Sequence, residues 1–109
     1  MAYLVVKDLN GDLSHVVIYK RVTTIGPGLE FDIVLPHSKL LPNDAYIVQN
    51  DDNFLLYIKN DNSSFFASDR KPYPLQLKDK DSFQIDGYQL EFVNGKPPVI
   101  KEEVEENSA

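Results

Sequence analysis

The chain has no cysteine among its 109 residues. That excludes a disulfide framework and thiolate metal sites, and it suits a reducing, cytoplasmic setting. Histidine is almost as scarce, with only His15 and His37. His15 lies in a strand pattern, "SHVVIYK", and reads as a residue lining a sheet face. His37 follows Leu35-Pro36 and reads as a loop residue. Neither belongs to a nucleophile–base signature, so no enzyme activity and no cofactor are expected. Positive charge is also short: 11 Lys and Arg face 17 Asp and Glu, a net −6. The basic residues Lys7, Lys20, Arg21, Lys39 and Lys59 are scattered and form no stripe, so nucleic acid and anionic lipid are not expected partners. No apolar run approaches the roughly 18 residues that cross a membrane. "MAYLVVKDLNGD" lacks the basic stretch and apolar core of a signal peptide and reads as a strand. Acidic residues are plentiful but wrongly spaced for calcium. "DKDSFQID" puts Phe83 and Gln84 where an EF-hand loop needs an acid and a glycine. Phe83 is expected in the core instead, and no metal site is assigned. Internal repeats and amphipathic helices are absent from the first hundred residues.

What is present is an ordinary globular composition, 42% hydrophobic and 26% charged, in a chain long enough for one domain with its own core. The hydrophobic period is two. "YQLEFV" sets Tyr88, Leu90 and Phe92 on one face, "SFQID" pairs Phe83 with Ile85, and "PLQLK" pairs Leu75 with Leu77. "HVVIYK", "DIVL", "AYIVQ" and "FLLYIK" carry the branched and aromatic residues of buried strands. Turn residues separate them at "NGD" (10–12), "GPG" (26–28), "NDDN" (50–53), "NDNSS" (60–64), "DG" (86–87) and "NGKPP" (94–98). Asp86-Gly87 predicts a type I′ hairpin. In "GPG", Pro27 at the second position and Gly28 at the third predict a type II turn. Many short strands with regular turn signals predict an all-β sandwich. We expect this domain to span 1–94. Residues 95–109 read as a Pro- and Glu-rich linker or tail leading to further domains of a longer protein. From Lys101 on, four glutamates face one lysine, which supplies half of the net negative charge.

The order of these features resembles a forkhead-associated (FHA) domain over about residues 3–93. "IGPGLEFDIVLPHSKLLPNDAYIV" is similar to the family's I-G-R, D-I-x-L and S-R-x-H-A-x-I, with no gap from Asp32 to Ile47. "NSSFFAS" (62–68) stands where N-G-T-x-V-N-G would be, and "LKDKDSFQIDGYQLEFV" (77–93) resembles L-x-x-G-D-x-I-x-I-G-x-x-x-L-x-F. The resemblance implies an all-β, FHA-like (SMAD-like) sandwich of about eleven short strands whose loops at one end bind phosphothreonine peptides.

Carried over residue by residue, the resemblance also implies a degenerate site. Pro27 stands for the arginine of I-G-R. Leu41, Pro42 and Asp44 stand for the serine, arginine and histidine of S-R-x-H. Asn62 keeps the asparagine of N-G-T, Ser63 replaces its glycine and Ser64 its threonine, while Ala67 replaces the later asparagine. A phosphodianion needs charged forks, hydroxyls and N–H groups. Pro27 and Pro42 have neither donor side chain nor N–H, and Leu41 is hydrocarbon. Each lost charge-assisted bond costs about 1.5–3 kcal/mol, so two or three losses weaken binding on the order of a thousandfold.

The expected function is a phosphorylation-independent protein–protein interaction module within a larger signalling or assembly protein, with a protein partner. Lys39, Asn43, Asn62, Ser63, Ser64, Arg70 and Lys71 are the candidate partner-contacting loop residues, Ser64 first because it keeps a hydroxyl. Two alternatives stay open. One is a phosphopeptide reader whose donors have moved to residues such as Lys39 and Arg70. The other is a structural domain that associates with a neighbouring domain or with itself.

Overall fold

The computed structural model describes residues 1–59 and 74–98. Nine strands follow one another without a helix among the described residues. They are β1 (Ala2–Lys7), β2 (Leu13–Ile18), β3 (Val22–Gly26), β4 (Ile33–Val34), β5 (Ala45–Asn50), β6 (Asn53–Ile58), β7 (Leu75–Gln76), β8 (Ser82–Ile85) and β9 (Tyr88–Asn94). They form two sheets, of order β2-β1-β9-β8 and β4-β3-β5-β6-β7. All pairs are antiparallel except β3–β4, which are parallel.

The period of two builds the layers. A strand turns alternate side chains to opposite faces, so one residue in two enters the space between the sheets. Leu4, Leu90 and Phe92 enter from the first sheet; Ile25, Ile47 and Leu56 enter from the second. All are 0 or 1% exposed. Phe54 and Phe92 meet across the layers with ring centroids 5.2 Å apart. Phe83, excluded above from a calcium loop, is buried in this core.

The turn chemistry sets the register. Asp86 and Gly87 both have positive φ, at 47° and 89°, between the paired residues Ile85 and Tyr88. This is the type I′ hairpin that the Asp-Gly pair predicted. At the β1–β2 turn the Asp8 carboxylate accepts the N–H groups of Asn10 and Asp12, and Gly11 supplies the left-handed residue at φ 88°.

Two expectations change. The type II turn does not form at Gly26-Pro27-Gly28, because Gly28 is not among the residues of positive φ. The chain turns two residues later, where Phe31 N–H donates to Gly28 C=O at 3.2 Å. That brings the Phe31 ring over Gly26, where a Cβ would come within 2.5 Å of three ring carbons. Gly26 is thus required by close approach. The second change concerns "HVVIYK", whose apolar run suggested a buried strand. β2 is the outermost strand of its sheet, and its first three residues are exposed.

Candidate functional site

The end of the sandwich that carries the candidate loops follows from strand direction. β3 runs antiparallel to β5, and β5 to β6. Gly26 at the end of β3, Ala45 at the start of β5 and Ile58 at the end of β6 therefore share one end. The β3–β4 loop, the β4–β5 loop and the chain leaving β6 all emerge there.

One carboxylate organises the first loop. Asp32 Oδ2 accepts the Thr24 N–H at 3.0 Å and the Thr24 hydroxyl at 3.1 Å, while Thr24 Oγ1 accepts the Asp32 N–H at 3.0 Å. Asp32 Oδ1 lies 2.6 Å from Lys20 Nζ. The Lys20 hydrogen bond, followed by that from the Thr24 N–H, holds the Asp32 carboxyl below its ordinary value of 3.8. The same bond, with the carboxylate's charge behind it, raises the Lys20 ammonium. Asp32 thus closes the β3–β4 loop at its base. The loop's far side, at Leu29, is 92% exposed.

The second loop is built from backbone bonds. Ser38 N–H donates to Leu35 C=O, His37 N–H to the Tyr88 hydroxyl at 3.1 Å, and Lys39 N–H to Asp86 Oδ2 at 2.6 Å. Its middle is thereby docked on the β8–β9 hairpin, with Leu40 buried beneath. Leu41–Asp44 then forms a reverse turn, Asp44 N–H to Leu41 C=O at 3.0 Å. Pro42 occupies its second position and Asn43, with φ 70°, its third. That is the type II arrangement, with asparagine standing in for glycine. Asp44 is buried, and its Oδ2 accepts the Leu41 N–H at 3.0 Å. Its own C=O accepts Lys59 N–H at 2.8 Å, which ties the loop to the end of β6.

The residues named from sequence that fall among the described residues now have a place. Pro27, Leu41, Pro42 and Asp44 do gather at one end, with Lys39 and Asn43 beside them. Asn43 serves as a turn corner, Lys39 is exposed, and Asp44 points inward as a tie of its own loop. Asn62, Ser63, Ser64, Ala67, Arg70 and Lys71 lie outside the described residues, as does the acidic tail from 99 on. The feature sequence reasoning passed over is Leu29. Its signal was an aliphatic residue between Gly28 and Glu30, in a turn with nothing to bury it. No metal-binding cluster of His, Asp or Glu occurs among the described residues, and no helix there is long and apolar enough to cross a membrane.

A two-sheet sandwich with a loop-built end, closed by a parallel β3–β4 contact, defines a class of all-β domain. No family model and no curated protein matches the sequence. Solved structures do match, and they are FHA domains. One comes from a structural and functional analysis of phosphothreonine-dependent FHA domain interactions; it is 16% identical with TM-score 0.66, covering 88% of this chain and 98% of that one. The Rv0020c FHA domain is 16% identical with TM-score 0.66, covering 85% and 93%. The FhaA FHA domain, complexed with the intracellular domain of Rv3910, is 17% identical with TM-score 0.64, covering 84% and 99%. The chain has the FHA fold, at the low sequence identity of a divergent example.

Proposed function

We propose that this domain is a cytoplasmic protein-interaction module that engages its partner through the β3–β4 and β4–β5 loops without needing a phosphate. One of the similar domains is described through phosphothreonine-dependent interactions and another in complex with the intracellular domain of Rv3910. The observation that carries the reading is the chemistry of this chain's loop end. Pro27, Leu41 and Pro42 stand where the resemblance calls for donors, and Leu41 is 66% exposed rather than folded away. The buried Asp44 carboxylate accepts a backbone N–H and repels an anion. With Leu29, the end presents aliphatic side chains and proline rings, a surface that gains by covering apolar area.

The test is a titration of the ¹⁵N-labelled chain with a degenerate phosphothreonine peptide pool, against the same pool unphosphorylated. The expected result is no phosphate-dependent shift at Gly26, Lys39 or Leu41, even at about millimolar peptide, the weak end of specific binding. Phosphate-dependent shifts centred on Lys39 would overturn the proposal in favour of a reader with relocated donors.

A further inference from the structure

We propose that β2 is a self-pairing edge, and that two copies of this chain join antiparallel through it into one continuous eight-stranded sheet. The inference does not depend on the loop end; it rests on an open strand edge.

β2 ends its sheet, with β1 on one side and no strand among the described residues on the other. The ladder shows which β2 backbone groups β1 leaves unbonded among the described residues. Asp8 N–H bonds Asp12 C=O, and the register from Lys7↔Leu13 to Ala2↔Ile18 continues without a bulge. Hydrogen-bonded pairs alternate in an antiparallel ladder. Ser14, Val16 and Ile18 therefore bond β1, while Leu13, His15 and Val17 point N–H and C=O outward. The Gly95 N–H to Met1 C=O bond gives β1 the complementary parity toward β9.

Sheet edges are usually guarded by proline, lysine, a bulge or a very short strand. "LSHVVI" has none of these: six residues, no bulge, no proline and no Lys, Arg, Asp or Glu. The sequence around it is self-complementary. Asp12 precedes the strand and Arg21 follows it, both exposed, while Lys20 beside Arg21 is paired with Asp32 of its own chain. Antiparallel pairing brings the acidic end of each copy to the basic end of the other, whereas parallel pairing would oppose like charges. With His15 on the two-fold axis, Leu13 of each copy faces Val17 of the other. The three outward residues then exchange roughly six hydrogen bonds. Leu13, at 61% exposed, gains cover from the contact. Such a contact is isologous and closes, so it stops at two copies.

The test is sedimentation equilibrium and amide hydrogen exchange on the full chain, from about 10 μM to about 1 mM, since small interfaces associate weakly. The mass is expected to move from one chain toward two. Exchange protection should rise with concentration at Leu13, His15 and Val17 and stay constant at Ser14, Val16 and Ile18. His15→Pro removes an outward N–H at the axis, and Leu13→Lys puts a charge at the apolar pair; both should leave a single-chain mass. Should His15→Pro fail to fold, Leu13→Lys, at an exposed position, decides alone. The proposal falls if the mass stays at one chain at the highest concentration, if Leu13→Lys still dimerises, or if the newly protected amides lie on another element. Protection of Leu13, His15 and Val17 at single-chain mass would mean that another part of the same chain covers the edge, and would overturn it equally.

Discussion

Asp32 is the side chain on which the β3–β4 loop depends. It satisfies a backbone N–H and a hydroxyl of Thr24 and pairs with Lys20. The ion pair is partly exposed and contributes little by itself; the bonds to Thr24 matter more. Asp32→Ala should cost about 1–2 kcal/mol at neutral pH, measured as a shift in the urea midpoint. Its pH dependence has a definite sign. The folded-state carboxyl titrates below its ordinary 3.8, so its contribution is present above that value and is lost as pH falls through the lower folded one. Wild type and Asp32→Ala should therefore converge in stability below about pH 3.8, while a gap that persists into strong acid would remove charge from the explanation. The residue was legible in the sequence as the aspartate of D-I-x-L. Its partners were not, because Thr24 and Lys20 reach it only after β3 and β4 align in parallel.

Among the elements, the β4–β5 loop shows how one turn corner and a few hydrogen bonds fix a loop's path. Pro42 and Asn43 make a type II turn, Asp44 closes it, and Lys39 anchors it to the Asp86 of a type I′ hairpin. The left-handed φ of 70° at Asn43 suits asparagine or glycine and strains a β-branched residue. Asn43→Val should cost about 1–2 kcal/mol, whereas Asn43→Gly should be near neutral; thermal unfolding of the pair separates them. Equal effects would mean that the turn is held by its neighbours and not by its corner. The two prolines of the loop end illustrate the limits of local reading. Gly26-Pro27-Gly28 and Leu41-Pro42-Asn43 are equally good turn sequences, yet only the second adopts the type II form. At the first, the half-buried Phe31 ring packs over Gly26 and the turn falls two residues on. Burial of that kind depends on the loop's surroundings, which the tripeptide does not contain.

For the whole molecule, the buried apolar residues are concentrated between the two sheets. The core between the sheets holds the domain together, and the loop end exposes Leu29 and Leu41. Leu4→Ala, at a position with no exposure, should cost about 3–4 kcal/mol through lost burial and a cavity. Leu41→Ser, at the exposed loop end, should stay within about 0.5 kcal/mol. Parallel urea melts check both, and a large loss from Leu41→Ser would make Leu41 a structural residue rather than a surface for a partner. The sequence by itself determined the two-layer β architecture, the inward faces of β8 and β9 and the Asp86-Gly87 hairpin. Those follow from a period of two and from turn residues whose φ preferences are intrinsic to one or two positions. Only the tertiary structure decided that β2 is the outermost strand of its sheet among the described residues, that Asp44 faces inward and that Leu29 stands exposed. Exposure depends on which strands become neighbours, and that is settled by long-range packing of the two sheets rather than by any short stretch of the chain.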